Sequence, residues 1–492
     1  ASDVYKRQEL LKSASTAITS VNGVYHSMWT AGWSTTANTH QCFGIAAYNL
    51  ALDCMADDLI MQSQGNGWFW GDHCYNVKSN YTSSAFRSYD VWYANYKWIA
   101  NVNYIIDAEP EMAGTEADVA YVAGQAYAIR ALCYLNLATW FSRAPYNSLT
   151  GASRWNEPCV PVYTTGTSID TGGQPRESLR TVYGRIDQDI DRAIELLEKA
   201  RETTLAENNK SHINLYVALG IKSRACLAEG DWDGAFKAAK RVIDEGGYAV
   251  GTKSDLTGGM NSLDKQNVMW GAGIQVADQA GGYAGFFTHM DNKEGAYAKS
   301  APKLISKQLY NRISATDIRR DWWDPSDKES PYVSKKFSFA NVASFLGDYI
   351  YMRVEEMYFT AAEAALRLDD LKSARELMNT VMAERDPGYS ANNRSGTLLG
   401  ATTTTWTGSF LENILTHRRI ELWGEYGRLF DVRRLGQGID RRTDDGFSEE
   451  CISMMNRRNV NITKADTYDW VLTIPKAELD ANPNINEEDQ NP

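Results

Sequence analysis

Residues 353–385 read RVEEMYFTAAEAALRLDDLKSARELMNTVMAER, and this stretch decides the fold class. In its first half, residues 353–368, alanines recur at close helical spacing, which predicts a helix that packs tightly against a neighbour. Asp369-Asp370 then turns the chain, and residues 371–385 repeat the helical pattern. The stretch therefore predicts a helical hairpin similar to a tetratricopeptide repeat, whose period is about 34 residues.

The same arrangement occurs earlier in the chain. Residues 213–227 and 232–243 predict two alanine-rich helices, and Glu229-Gly230-Asp231 forms the turn between them. Because the two hairpins are degenerate and far apart, a continuous solenoid is excluded and a long insertion must separate them. Residues 121–141 and 179–201 predict further helices, and the second is strongly amphipathic.

The predicted fold is mainly α: one domain over residues 1–492, with degenerate tetratricopeptide-like hairpins, long irregular loop insertions and a few short strands. The helical scaffold is expected at approximately residues 90–142, 179–245, 350–386 and 410–436. The segments 62–88 and 246–345 are rich in glycine and aromatic residues and are expected to form loops or short strands. Because long loops inside a compact domain are usually functional, we predict that these segments bind the ligand.

Composition limits the classes of partner. The formal net charge of −12 repels phosphate backbones and anionic lipid head groups, which argues against nucleic acid and favours a neutral ligand. No run of eighteen or more apolar residues is present that could cross a bilayer. The seven cysteines show no C-x-x-C spacing, so the sequence indicates neither a zinc site nor a redox pair, and most are expected to be buried.

No catalytic motif is present. The sequence lacks a Gly-x-Ser-x-Gly elbow, a His-Glu-x-x-His zinc helix and a phosphate-binding Gly-x-x-x-x-Gly-Lys loop. A glycosidase needs two carboxylates about 5–9.5 Å apart, whereas the acidic pairs here are adjacent residues, which do not face each other on a helix. We therefore expect a non-catalytic protein without cofactor or metal, and a glycosidase assembled across loops is the less favoured alternative.

The most highly charged motif, residues 418–434, is interpreted as structural. Its opposite charges lie three residues apart, as in ion pairs that support a helix. These pairs are Arg418 with Glu421, Glu425 with Arg428, and Asp431 with Arg434.

Aromatic residues are the compositional outlier, with 15 Trp and 27 Tyr. The sequence GNGWFWGD places Trp68, Phe69 and Trp70 between glycines, and a short loop is not expected to bury all three rings. An exposed ring packs on the C–H-bearing face of a sugar and removes apolar area from water at about 25 cal/mol per Å². Asn66 and Asp72 offer hydrogen-bond partners for sugar hydroxyls. The alternative is a loop that folds its rings back under itself.

Two further aromatic segments are candidates for the same surface. In the pair Trp322-Trp323, alternating faces would expose one ring, so both residues are predicted binding candidates. Tyr283 and Phe286 lie in a glycine-rich segment and are predicted to form a third wall. Trp270, in contrast, is predicted to lie in a buried strand.

Several segments together resemble the SusD/RagB family. The similar segments are Trp92, Tyr96, Ile99 and Asn103 in one helix, 124–135 in the next, 183–197, 351–364, the Arg418-Arg419 to Arg434 motif, and 474–483. Six matches in the family's order identify the chain as resembling this family from about residue 90 to 483.

The resemblance implies a non-catalytic protein that binds polysaccharide or oligosaccharide and delivers it to a SusC-like TonB-dependent transporter. It implies a ligand platform near the Trp68–Trp70 loop. It also implies attachment to the extracellular face of the outer membrane through an N-terminal lipid, with the lipidated cysteine and signal peptide expected upstream of Ala1. The remaining alternative is a peptide-binding tetratricopeptide adaptor, which predicts a ligand groove lined by scaffold helices.

Overall fold

The computed structural model describes residues 2–30, 39–76, 86–275 and 284–492. Within these ranges the chain forms nineteen α-helices and six short β-strands. About 50% of the structure is helical. The prediction of a mainly α fold with a few short strands is therefore confirmed.

The regular elements are numbered in chain order over the described ranges. The helices are α1 (Ser2–Leu10), α2 (Ala14–Ser27), α3 (Ile45–Cys54), α4 (Trp70–His73), α5 (Phe86–Ala108), α6 (Glu116–Phe141), α7 (Leu179–Lys199), α8 (Leu215–Glu229), α9 (Trp232–Glu245), α10 (Lys253–Thr257), α11 (Phe286–Met290), α12 (Ala296–Ser300), α13 (Lys307–Tyr310), α14 (Val354–Arg367), α15 (Leu371–Ala383), α16 (Phe410–Glu421), α17 (Arg428–Leu435), α18 (Glu449–Arg457) and α19 (Lys476–Ala481). The strands are β1 (Leu59–Met61), β2 (Val268–Ala272), β3 (Lys303–Ile305), β4 (Trp323–Asp324), β5 (Val333–Ser334) and β6 (Tyr349–Arg353).

The strands form two small antiparallel sheets. One has the order β1-β3-β5-β4, and the other pairs β2 with β6. Trp270 lies in β2 opposite Met352 and is buried, as the sequence predicted. The two sheets hold together parts of the chain that are far apart in sequence and that lead into the loop-rich segments.

Both predicted hairpin turns are built in the same way. Gly230 ends α8 in the left-handed region at φ 72°, and Asp231 caps α9 by accepting a hydrogen bond at 2.9 Å from the backbone N–H three residues on. Asp369 and Asp370 play the equivalent roles before α15, with a φ of 61° and a capping distance of 3.1 Å. The acidic turns in the sequence are therefore helix caps.

The two hairpins are neighbours in space. Helix α14 packs against α15 within its own hairpin and against α9 of the other one. The whole segment 246–353 is inserted between them. The helices α5, α6 and α7 extend this body on the side of α8.

Helix bounds follow the periodic patterns with small shifts. Helix α6 begins at Glu116, earlier than the pattern suggested, because Thr115 caps it by accepting a hydrogen bond from Asp118 N at 3.1 Å. Helices α1 to α3 lie in the first part of the chain, where no scaffold was predicted. The burial in α3 is almost complete, so its sequence carries no amphipathic pattern.

The prediction of local ion pairs in residues 418–434 is right for one pair and wrong for two. Arg434 Nε does contact Asp431 at 2.8 Å. Arg418, in contrast, pairs with Asp431 at 2.7 Å instead of with Glu421. Arg428 pairs with Asp57 at 3.0 Å, far away in sequence, instead of with Glu425. Because a buried charge needs an opposite charge beside it, each of these side chains pairs with the oppositely charged group that lies nearest in space, even when that group is distant in sequence.

Glu421 forms the centre of a buried charge network. Its carboxylate accepts hydrogen bonds from Arg385 Nε at 2.7 Å, Arg353 Nη1 at 2.9 Å and Arg319 Nη1 at 3.3 Å. Burial alone would raise the pKa of Glu421, but the three guanidinium groups, led by Arg385, hold it well below its ordinary value. The network fastens α16 to β6, to the end of α15 and to the segment before β4.

Cysteine burial and hydropathy agree with the sequence. All seven cysteines are buried and none forms a disulfide with another described residue. Over the described ranges, no helix is long and apolar enough to cross a membrane.

Candidate functional site

Three aromatic rings meet at the surface where the 62–69 loop contacts α12. Trp68 stacks on His40, with ring centroids 4.9 Å apart and an interplanar angle of 16°. Tyr297 stands edge-on to both rings, at 5.5 Å from His40 and 6.3 Å from Trp68. All three side chains are partly exposed. We call His40, Trp68 and Tyr297 the Trp68 platform.

Glycines and one amide hold the loop that carries Trp68. Gly65 has a φ of 55°, and a Cβ at this position would lie 2.6 Å from Ser300 O. Asn66 Nδ2 donates to Ser300 Oγ at 3.0 Å, while Asn66 Oδ1 accepts from Trp68 N at 3.2 Å. The close approach of loop and helix therefore requires a glycine, and Asn66 fixes the backbone of Trp68.

Two buried titratable side chains, His289 and Lys303, lie beneath the platform. His289 is fully buried and donates its Nε2–H to the backbone oxygen of His40. Burial lowers the pKa of His289 well below its ordinary value, so the ring is neutral at pH 7. Nearby Lys303 donates its Nζ to Ala301 O at 2.8 Å, and burial lowers its pKa to about 8. The platform thus rests on a desolvated layer that holds its rings in place.

The structure corrects the prediction for Phe69, Trp70 and Asp72. Phe69 and Trp70 are 0% and 4% exposed and lie in the core, so only Trp68 of the three rings reaches the surface. Asp72 is fully buried and forms a bidentate ion pair with Arg87 at 2.9 and 3.0 Å. Phe69 lies in the left-handed region at φ 64°, and its ring packs edge-on against Phe43 and His289. These three residues support the loop and offer nothing to a surface ligand.

The structure also corrects the prediction for Trp322 and Trp323. The two side chains are 3% and 2% exposed. Trp322 donates its indole N–H to Leu256 O at 3.0 Å, and Trp323 packs edge-on against Trp423 at 5.5 Å. The prediction assumed a strand with one face in solvent, whereas both faces of this segment are covered.

Of the two residues predicted to form a third wall, the structure describes Phe286. Phe286 is 9% exposed and packs edge-on against Phe337 at 5.1 Å and Phe287 at 5.3 Å. It therefore belongs to the core beneath the surface. Tyr283 lies outside the described residues.

Sequence reasoning missed two of the three platform residues. His40 was one of six dispersed histidines, and Tyr297 lay in a glycine-rich segment without periodicity. Neither position carries a local pattern, because the platform is assembled by contacts between residues far apart in the chain. Asn66 and Trp68 were the only predicted residues of the first loop that the structure leaves accessible.

The arrangement is suited to binding a ligand without reacting with it. A partly exposed indole ring, an imidazole and a phenol offer apolar faces with polar edges, which matches the surface of a sugar. Among the described residues, no three His, Cys, Asp or Glu side chains are grouped so that they could hold a metal ion. Two of the adjacent acidic pairs, Asp57-Asp58 and Glu355-Glu356, form ion pairs with arginines, as with Asp58 and Arg419 at 2.7 Å and Glu356 and Arg224 at 2.7 Å.

Two family models match the chain. The model described as the SusD family matches residues 297–492. A second model, described as "Starch-binding associating with outer membrane", matches residues 44–227. Among curated proteins, none matches this sequence.

Solved structures share the fold over nearly the whole chain. A SusD-like carbohydrate binding protein from Bacteroides vulgatus ATCC 8482 is 25% identical, with a TM-score of 0.78, over 97% of this chain and 98% of its own. A SusD superfamily protein from Bacteroides thetaiotaomicron VPI-5482 is 21% identical, with a TM-score of 0.75, over 98% and 100%. Surface glycan-binding protein A from Bacteroides thetaiotaomicron, in complex with laminarihexaose, is 16% identical, with a TM-score of 0.68, over 96% and 98%.

Proposed function

The chain belongs to the SusD/RagB family, and from this premise we propose that it binds a neutral polysaccharide or oligosaccharide at the cell surface without catalysing its breakdown. The Trp68 platform is the contact surface. The observation that carries the proposal is the partly exposed Trp68 ring, held against His40 by a loop that a glycine and Asn66 fix in place. The solved carbohydrate-binding relatives support the same class of ligand.

A single platform gives weak binding. Covering part of one indole ring with a sugar contributes about 1–2 kcal/mol at about 25 cal/mol per Å². A Kd of 1 mM corresponds to about 4.1 kcal/mol, so one stacked sugar needs additional hydrogen bonds to reach even that affinity. The rigid support of the platform limits the entropy lost on binding. A long polymer that engages several copies of the protein gains further through avidity.

In this proposal the protein delivers the bound glycan to a SusC-like TonB-dependent transporter in the outer membrane. The description of the second family model, which names association with the outer membrane, supports this location. In this proposal a lipid attached to the protein anchors it at the extracellular face. The helical hairpins supply the rigid scaffold for the transporter contact.

Affinity electrophoresis tests the proposal. The protein migrates through gels that contain neutral plant, host or microbial polysaccharides, beside Trp68→Ala and the control Trp232→Ala. Trp232 is also a partly buried tryptophan but packs on Tyr146 in the hairpin region, at 6.4 Å between ring centroids. We expect one glycan to retard the wild type and the control, and Trp68→Ala to lose about 5- to 30-fold in affinity.

Two outcomes would contradict the proposal. Unretarded migration of the wild type through every gel, together with binding of peptides in the hairpin region, would favour a tetratricopeptide adaptor. Release of oligosaccharides from the retarding glycan over time, followed by thin-layer chromatography, would show an enzyme.

A further inference from the structure

A second groove lies away from the Trp68 platform, between α5, the 163–173 loop and α19. Its volume is about 240 Å³. The partly exposed rings of Tyr93, Tyr96 and Tyr163 line it, together with Glu478 and the backbone of Gly172-Gly173. Sites for drug-sized ligands measure about 300–1,000 Å³, so this groove suits a ligand of one or two sugar rings in size.

The loop that forms one wall is held firmly to α5 and α6. Asn103 Nδ2 donates to Tyr163 O at 3.1 Å. The hydroxyl of Tyr134 donates to Tyr163 O at 2.9 Å and accepts from Tyr163 N at 2.6 Å. Tyr96 donates its hydroxyl to Pro161 O at 2.7 Å. These bonds fix the Tyr163 ring nearly perpendicular to Tyr96, with the centroids 5.7 Å apart and an angle of 89°.

The opposite wall is tied to the end of the same loop. Asn482 Nδ2 donates to Gln174 O at 2.9 Å and to Glu478 Oε1 at 3.0 Å. Gly173 sits so close that a Cβ there would lie 2.3 Å from the Asn482 side chain. The groove is therefore a preformed part of the fold, because its loop is hydrogen-bonded to α5 and α6 on one side and to the residue that ends α19 on the other.

The chemistry of the groove is that of a cation site. Glu478 is partly buried, and within the described part of the chain no lysine, arginine or histidine pairs with it; the lysine on the same helix, Lys476, pairs with Asp480 at 2.9 Å. Burial raises the pKa of Tyr93 and Tyr163, and the negative charge of Glu478 adds to the rise for both. The carboxylate thus lies close to both phenols in a poorly solvated space.

Tyrosine rings and an unpaired carboxylate act together on a cation. A ring face attracts an ammonium group electrostatically, and the attraction is stronger where water is excluded. A hydrogen bond between charged partners is stronger than one between neutral groups. The net charge of −12 favours the approach of a cation over that of an anion. The hydroxyl groups of Thr167, Ser168 and Thr171 line the rim and offer partners for sugar hydroxyls.

We propose that this groove binds a saccharide with a free amino group, whose ammonium meets Glu478 between the rings of Tyr93, Tyr96 and Tyr163 while its hydroxyls bond the 167–171 rim. The site is separate from the Trp68 platform and takes a charged ligand, whereas the platform takes a neutral one. The inference stands whether or not the platform binds glycan.

Calorimetric titration at about pH 6, where an aliphatic amine is protonated, tests the site with four probes. These are glucosamine, N-acetylglucosamine, glucose and n-butylammonium. We expect glucosamine to bind at least about tenfold more tightly than the two uncharged sugars, and more tightly than n-butylammonium, which lacks the hydroxyls. Glu478→Gln keeps the shape and the bond to Asn482 and is expected to weaken glucosamine binding about tenfold or more. The control Glu488→Gln, at an exposed position, leaves binding unchanged.

A second variant separates the rings from the charge. Tyr93→Leu keeps an apolar side chain but removes the aromatic face, and we expect a loss of about threefold for glucosamine. Equal binding of glucosamine and glucose, unchanged binding in Glu478→Gln, or no binding at millimolar concentrations would overturn the proposal. Equal binding of glucosamine and n-butylammonium would overturn the saccharide part, because a bare ammonium would then suffice. Trp68→Ala leaves glucosamine binding unchanged, which distinguishes this site from the platform.

Discussion

Replacing Glu421 by glutamine removes the negative charge at the centre of the arginine network while keeping the shape of the side chain. Arg319, Arg353 and Arg385 are each at most 2% exposed, and all three contact this one carboxylate. Each arginine retains at least one other carboxylate partner: Asp317 for Arg319 at 2.7 Å, Glu425 for Arg353 at 2.8 Å and Glu355 for Arg385 at 2.6 Å. Removing one partner of a buried ion pair costs about 3–5 kcal/mol, because the remaining charge stays desolvated. Whole proteins are stable by only about 5–15 kcal/mol, so Glu421→Gln should lose a large fraction of the free energy of unfolding.

Urea unfolding followed by tryptophan fluorescence measures this loss. The matched control is Glu376→Gln on α15, where the glutamate is exposed and forms no ion pair with a described residue. We expect the control to stay within about 0.5 kcal/mol of the wild type. A loss below about 1 kcal/mol for Glu421→Gln would refute the reasoning, since it would mean that the three guanidinium groups find adequate partners without this carboxylate.

Two further predictions concern the loop and the layer beneath the platform. Gly65→Ala should abolish most glycan retention in affinity gels with little change in the unfolding midpoint, because its Cβ would lie 2.6 Å from Ser300 O. The control is Gly151→Ala, at a position with a φ of 75° and no atom within 4 Å of the added Cβ. Equal effects of the two substitutions on glycan retention would contradict the prediction. Lys303→Met should stabilise the protein at pH 7 by about 1–3 kcal/mol, because the buried ammonium has a pKa of about 8 in the folded state against about 10.4 unfolded. The wild type gains stability as the pH rises from about 8 to 10.4, because over that range only the folded state has released the proton. The stability advantage of Lys303→Met should therefore shrink over the same range, which urea titrations of both proteins at pH 7 and 10 measure. A variant less stable than the wild type at pH 7 would contradict the reasoning.

The parts of the fold that could be predicted are those with a local pattern. The apolar spacing in α7 and the alanine-rich hairpins predicted helices that the structure confirms, because a helix that packs on one side repeats its apolar residues every three or four positions. Helix α3 was not predicted, because it is buried on nearly all sides and so lacks the polar face that an amphipathic pattern requires. The acidic turn at Asp369-Asp370 was visible in the sequence, and its role as a cap follows from the same local geometry.

For the candidate site, the sequence indicated a region and not the residues that lie at the surface there. The loop around Trp68 was recognisable because three aromatic residues stood between glycines, but which ring reaches the surface depends on distant contacts. Phe69 and Trp70 entered the core because other parts of the chain cover them, and Asp72 was neutralised by Arg87. Arg418 likewise pairs with Asp431 and not with Glu421, which is closer in sequence. Long-range packing decides such cases, and a single sequence does not display it.

Helices α9 and α14 pack directly against each other although residues 246–353 lie between them in the chain. The pairing of the two hairpins therefore does not depend on the length of that inserted segment. Closing the chain across residues 246–353 costs loop entropy that grows only with the logarithm of its length, about 0.6 kcal/mol for each doubling. Insertions in the exposed turns of this segment therefore cost little while the hairpins stay paired, whereas its buried residues, such as Trp270 and Arg319, are fixed by the core. A change in an exposed turn of this segment, such as the turn before Tyr297, alters the surface beside the Trp68 platform without altering the paired hairpins.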